Sequence, residues 1–259
     1  MPTILFDKIV FGPIHSRRLG VSLGINLLPA DGKLCSFNCI YCECGLNEDH
    51  RTRSKLPTRA EVKEALITQL SSMQAEGTAP DVITFAGNGE PTMHPEFEGI
   101  IDDTIEARNR FFPKAKIAVL SNATMLYKDT VFRALNRVED NILKLDSVLD
   151  SRIQQLNVPN SPTFTFDRLL EQLCRFNGNL IIQTMFLKGE VDGQSITNTT
   201  EHEISGWLEA LKQIKPKQVM IYTVDRETPV KNLRKVSKEE LEAIADRARR
   251  EGFDVTVSA

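Results

Sequence analysis

The sequence predicts an α/β protein whose parallel sheet curls into a full or partial barrel, on two observations. Short apolar runs alternate with longer amphipathic stretches along almost the whole chain, about six or seven times, and that beat implies parallel strands under helices joined by right-handed crossovers. No stretch is rich enough in Gly, Ser or Pro to divide the chain. Its 259 residues therefore read as one domain, 1–259, with a core over about 10–225 and a C-terminal helix and strand over 226–259.

Each element has its own signal. "GVSLGINLL" is the first strand, and a cysteine-rich segment follows it directly. "TRAEVKEALITQLSSM" reads as a helix with Thr58 as N-cap and Glu61 at the capping-box position. "DVITFAG", "AKIAVLSNAT", "NILKLD", "NLIIQTMF" and "KQVMIY" read as buried strands, and "DVTVS" as a terminal one. Between them "PEFEGIIDDTIEARNRF", "FDRLLEQLCRF", "EISGWLEALKQI" and "SKEELEAIADRARREG" carry helical periodicity. "NVPNSPTF" reads as a loop, and "KGEVDGQSITNTTEHE" as a polar insertion placed to serve as a lid.

Composition bounds the function. The chain is 41% hydrophobic and 26% charged, with a net charge of -3, which does not favour a protein dominated by phosphate contacts. With no apolar leader and no apolar run of about 18 residues, the expectation is a soluble, cytoplasmic protein without membrane spans. In a reducing compartment its five cysteines suit metal ligation or thiol chemistry better than disulfides.

Four of those cysteines crowd into "LCSFNCIYCECG". Cys35, Cys39 and Cys42 have the spacing C-x3-C-x2-C, and three thiolates on one short loop suit an iron-sulfur cluster that keeps one iron without a protein ligand. With Cys44 as fourth ligand, the same loop suits a structural zinc or a closed cluster in a non-catalytic protein. Cys174, in a helical apolar stripe, reads as a buried structural thiol. In barrels of this type chemistry gathers where strands end and helices begin, so "GNGEPTMHP", at the next strand end, belongs to the same rim. Strand alternation puts Ile142, Lys144 and Asp146 on one face, and extends the same parity to Ser121 behind Ile117 and Val119, and to Gln183 behind Ile181. His94 reads as a turn residue, His50 and His202 as solvated. Arg17 and Arg18 of "SRRLG" either meet an anionic substrate or pair with acidic neighbours.

The cysteine motif with Tyr41 before its last cysteine resembles the radical S-adenosylmethionine (SAM) superfamily. "FGPIHSRRLGVSLGINLLP", "ITFAGNGEPTMHPEF", "VLSNAT" and "LKLDS" extend the likeness, over about 10–225, to a branch distantly similar to wyosine-type tRNA-modifying enzymes. Asn88 within a pattern usually written Gly-Gly-Glu, "SNA" for "TNG" and the extra Cys44 depart from the family pattern. The resemblance implies a partial (β/α)6 barrel with a [4Fe-4S] cluster on Cys35, Cys39 and Cys42 at its mouth. It implies reductive cleavage of SAM to a 5'-deoxyadenosyl radical that takes hydrogen from substrate, with electrons from a donor such as flavodoxin or ferredoxin. It assigns SAM contacts to Glu90 or to backbone near Gly87, Asn88 and Gly89, to Ser121 and Lys144, and to Gln183 near the adenosine. Tyr41 either stacks near the adenine, shields the cluster or simply packs. No catalytic residue is assigned, and the substrate stays open between a tRNA nucleoside, a peptide and a small molecule.

Overall fold

A computed structural model describes residues 4–16, 19–49 and 52–259. The elements run β1 (Val10–Ser16), β2 (Gly20–Ile25), α1 (Arg59–Ala75), β3 (Val82–Phe85), α2 (Phe97–Phe111), β4 (Lys116–Ser121), α3 (Asp129–Leu135) and β5 (Asp140–Lys144). They continue with α4 (Asp150–Leu156), α5 (Phe166–Cys174), β6 (Ile181–Val191), β7 (Gln194–Thr197), α6 (Glu201–Ile214), β8 (Gln218–Thr223), β9 (Leu233–Lys235), α7 (Lys238–Arg250) and β10 (Val255–Ser258). The main sheet is ordered β1-β2-β3-β4-β5-β6-β8-β10 and does not close. All its neighbours pair in parallel except β1, which runs antiparallel to β2. This is a mixed α/β, partial-barrel architecture, with β10 added beside β8.

The strands follow from burial on both sides. Their outward side chains, among them Ile83, Phe85, Val119, Leu143, Ile182 and Ile221, merge with the helices into one large apolar core. The inward face carries a much smaller apolar group of Val82, Ala118, Ile142, Ile181 and Met220. Above it stand polar groups such as Thr84, which shares a 2.8 Å hydrogen bond with Ser22. The helices start where their caps predict. Thr58 and Glu61 form the expected capping box on α1, and Thr200 and Ser237 cap α6 and α7 by accepting from Glu203 N and Glu240 N.

Four differences from the sequence expectations have physical causes. β1 precedes the expected first strand; Gly12 and Pro13 interrupt its pattern, and its register with β2 shifts there. The expected lid is a hairpin: β6 runs on to Val191 and pairs antiparallel with β7, and Asp192 and Gly193, at φ 50° and 76°, form the turn. An Asp-Gly pair between strands is a strong hairpin signal. The short helices α3 and α4 span less than two turns each, too little for periodicity to register. Ser121 does not share the inward parity of Lys144. Its strand companions Ile117 and Val119 lie in the outer core, and Leu120 packs with the inner cluster. Among the described residues no helix is long and apolar enough to cross a membrane.

Candidate active site

The loop between β2 and α1 is fixed from two sides before any side chain is considered. On one side Leu34 N donates to Asn88 O (2.9 Å) and Glu90 N donates to Leu34 O (3.1 Å). Gly89, at φ 138°, permits this approach, because a Cβ there would stand 1.9 Å from Leu34 O. On the other side Asn38 N donates to Asn157 O (2.9 Å), Ile40 N to Leu156 O (3.0 Å), and Asn160 N to Ser36 O (2.9 Å). The end of α4 and the segment after it therefore grip the cysteine loop. Beneath the loop Phe37, Ile40 and Tyr41 pack with Leu156, Met185, Leu187 and Val224 in a separate apolar cluster.

Cys35, Cys39 and Cys42 all line one cavity of about 480 Å³ at the C-terminal ends of the strands. Two have a nitrogen donor, and the third lies within reach of a buried charge. Asn122 Nδ2 donates to Cys35 Sγ and Asn157 Nδ2 to Cys39 Sγ, both at 3.5 Å, while the Lys33 ammonium acts on Cys42. Burial pushes the Cys35 and Cys39 thiols up. The Cys42 thiol is pulled down to about 6, first by its contact with the Cys44 side chain, with Lys33 adding to it. Cys44 is pushed up by the same contact, and its Sγ donates to Gly87 O at 3.3 Å. Three thiols facing one cavity, two of them with an N–H partner, suit an anionic iron-sulfur cluster, since hydrogen bonds to sulfur are how proteins stabilise one. Among the described residues no three His, Cys, Asp or Glu side chains converge on a single ion. Such convergence is not required of a cubane, in which each thiolate holds a different iron.

Gly87, Gly89, Glu90, Tyr41, Ser121, Lys144 and Gln183 line the same cavity, but several have their polar atoms occupied. Glu90 is buried and accepts from Thr92 N, Thr92 Oγ1, Ser121 Oγ (2.8 Å) and Asn122 N (2.7 Å). Burial raises its pKa in spite of those donors. Its carboxylate joins two strand ends and keeps little capacity for a ligand. Asn88 is absent from the cavity wall. Its side chain donates to Phe6 O and Pro29 O and accepts from Phe6 N, so it pins the N-terminal segment, and its backbone oxygen serves Leu34. Ser121 Oγ is divided between Glu90 and Ala123 N.

Tyr41 holds its hydroxyl against Asp146 and accepts from Asn157 Nδ2 (2.9 Å) and Lys144 Nζ (3.1 Å). Burial, then Asp146, raises its pKa. Asp146 also accepts from Met185 N (2.9 Å) and Asn157 Nδ2 (2.7 Å), so it cross-links the wall instead of facing a ligand. Lys144 keeps its charge: burial opposes it, but Asp146, Tyr222 and Cys39 outweigh burial and raise its pKa. Its ammonium lies 5.2 Å from the centre of the Tyr41 ring. The side-chain amide of Gln183 is buried against the cavity without a hydrogen bond among the described residues.

Remaining candidates lie elsewhere. His94 is buried, its Nε2 donating to Pro57 O (2.7 Å) while Nδ1 accepts from Glu96 N (3.1 Å), which fixes it as a turn residue. His202 is exposed. Cys174 is half-buried against the main core. Arg17, Arg18 and His50 lie outside the described residues. Sequence reasoning missed Lys33, Asn122 and Asn157. Asn and Lys are common in loops, and only the fold brings these three to the sulfurs.

An open parallel barrel with this loop at its mouth has the fold of radical SAM enzymes. A radical SAM methyltransferase from Sphaerobacter thermophilus superposes with a TM-score of 0.65 at 15% identity, over 92% of this chain and 65% of that one. Streptococcus suis SuiB, known with S-adenosylmethionine and with its precursor peptide SuiA, gives 0.64 and 0.65 at 14% identity, over 90% and 91% of this chain and 50% and 48% of SuiB. TYW1 with a lysine-pyruvate adduct gives 0.60 at 13% identity, over 88% of this chain and 73% of that one. No protein-family model matches the chain. By sequence it is 32% identical over 241 residues to a UPF0026 protein of Helicobacter pylori, covering 90% of this chain and 71% of that one, and it belongs to the UPF0026 family. It is also 29% identical over 242 residues to a Brachyspira hyodysenteriae protein named GTPase Obg; the match covers 92% of this chain and spans a third (33%) of that protein's length.

Proposed function

We propose that the chain is a radical SAM enzyme, one domain over 1–259, with its cluster on Cys35, Cys39 and Cys42. The observation that carries this reading is the meeting of those three thiols with the Gly87–Glu90 loop and Lys144 around one cavity, on a fold of this class. When bound, a [4Fe-4S] cluster with one open iron and SAM supply one-electron cleavage of the sulfonium and hydrogen abstraction from substrate.

The protein's own residues supply binding, orientation and dryness. Asn122 and Asn157 direct N–H groups at Cys35 and Cys39 and limit their rotation. Gly87 and Gly89 present bare backbone at the cavity wall, where an ammonium or ribose approaches closely. Lys144, held by Asp146 and Tyr41, offers a carboxylate or ribose oxygen a fixed positive charge, and Gln183 offers an uncommitted amide to an adenine edge. Phe37, Ile40, Tyr41, Met185 and Val224 keep water from the floor. Substrate meets the part of the wall where Asp225, Arg226 and Ser258 stand. Electrons come from a soluble one-electron donor in the cytoplasm. Wyosine-like chemistry on tRNA, peptide modification and small-molecule rearrangement are all compatible with this cavity.

The test is anaerobic reconstitution with iron and sulfide, then reduction in the presence of SAM and chromatography for 5'-deoxyadenosine. The expected result is a reducible cluster and SAM-dependent release of that nucleoside. A reducible cluster that never yields it refutes the enzymatic reading. Deuterium transfer into the nucleoside from tRNA or peptide pools then selects the substrate class.

A further inference from the structure

We propose that Lys33 is the fixed counter-charge of the iron-sulfur cluster, a positioning residue that favours the reduced, more negative cluster and so sets its midpoint potential. The proposal rests on the reading of Cys35, Cys39 and Cys42 as cluster ligands. Lys33 is only 3% exposed, and its Nζ donates to Gly45 O at 2.9 Å. Among the described residues no Asp or Glu oxygen forms an ion pair with it. An ammonium taken out of water at a cost of several kcal/mol calls for an anion, and a single carbonyl dipole is a weak substitute.

The carbonyl that holds the ammonium belongs to the cysteine loop itself: Gly45 N donates to Cys42 O at 3.0 Å, closing the turn that Cys42 opens. Lys33 also stands two positions before Cys35, so its buried charge is placed against the backbone that carries the motif cysteines. Cys35 and Cys39 receive neutral amide donors, from Asn122 and Asn157. Thus the buried charge stands at the Cys42 end of the loop, where among the described residues no amide donor does. Thiolates around an iron-sulfur core carry net negative charge, and one-electron reduction adds another unit. A buried cation beside the ligands stabilises the product of that reduction more than the reactant.

The experiment is a redox titration of reconstituted protein with dithionite and mediators, followed by electron paramagnetic resonance, in the absence of SAM. Lys33→Gln keeps a donor toward Gly45 O and loses the charge, Lys33→Met loses both, and Lys33→Arg keeps the charge. At a fixed potential Gln and Met are expected to lower the reduced-to-oxidised ratio at least tenfold, a shift of about 59 mV for one electron, while Arg stays near the native value. Native potentials in both Gln and Met overturn the proposal. If Gln and Met fail to load iron and Arg loads it, the need for charge stands. If Arg also fails to load, Lys33 is only an anchor of the loop and the proposal falls. A native chain that takes up no iron refutes the cluster reading itself, before any variant is compared.

Discussion

Leu143 and Lys144 are neighbours on β5, yet Leu143 is sealed among the helices while Lys144 stands at the cavity. The same division runs through the sheet. Its outer face joins one continuous apolar core, whereas its inner face has a thin apolar floor and then turns polar toward the strand ends. Fold stability is therefore concentrated on one face and chemistry on the other. Residues one position apart face different surroundings, which makes the two faces separable by mutation.

The largest expected effect comes from the cavity side. Cys39→Ala removes one of the three thiols, and iron and sulfide bound per chain should fall to background, with no 5'-deoxyadenosine formed. The unfolding free energy of the cluster-free protein should change little, by about 1 kcal/mol or less. Leu143→Ala is its mirror image. Truncating a fully buried leucine should cost about 2–5 kcal/mol in denaturant unfolding, and the folded fraction should still bind a full complement of iron. If Leu143→Ala loses cluster while remaining folded, the separation of the two faces is wrong.

Gly89 sharpens the comparison because it serves both roles. An alanine there meets Leu34 O and must hold a positive φ, so Gly89→Ala should destabilise by about 1–3 kcal/mol and, unlike Leu143→Ala, also lower iron uptake by the protein that folds. A loss of stability with native iron content would mean that the cysteine loop does not depend on its docking to the Gly87–Glu90 turn. Lys144→Met should be milder. Asp146 keeps its bonds from Tyr41, Asn157 and Met185 N, so the fold persists. SAM binding to the loaded protein, followed by calorimetry, should weaken about tenfold, or about 1.4 kcal/mol.

These contrasts also explain what local sequence could and could not convey. Strand and helix order was legible because burial imposes periodicity on runs such as "DVITFAG", and Thr58 with Glu61 announced a helix start that the structure contains. The inward parity of Lys144 and Gln183 was legible for the same reason. The strand parity of Ser121 was misread, although it lines the cavity, because parity must be aligned between strands and only the register, with Ser121 opposite Leu143, reveals which parity faces inward. The commitments of Asn88, Glu90 and Asp146 were invisible. Their partners Phe6, Ser121 and Tyr41 lie 82, 31 and 105 residues away, distances that no local pattern spans. The hairpin at Asp192 was written plainly in an Asp-Gly pair, but its polar setting invited a lid instead.

The smallest expected effect belongs to Cys44, and it bears on the cavity side of the comparison alone. Its Sγ donates to Gly87 O at 3.3 Å, so it links the end of the cysteine loop to the glycine turn without standing in the C-x3-C-x2-C triad. Sulfur is a weak donor, and Cys44→Ala should therefore cost no more than about 1 kcal/mol in unfolding. Iron content after reconstitution should equal that of the native chain, because the three motif thiolates remain. Iron content as low as in Cys39→Ala would instead make Cys44 a fourth ligand. The site would then be closed, leaving no iron corner for an external molecule, and the cavity beside it would need another explanation.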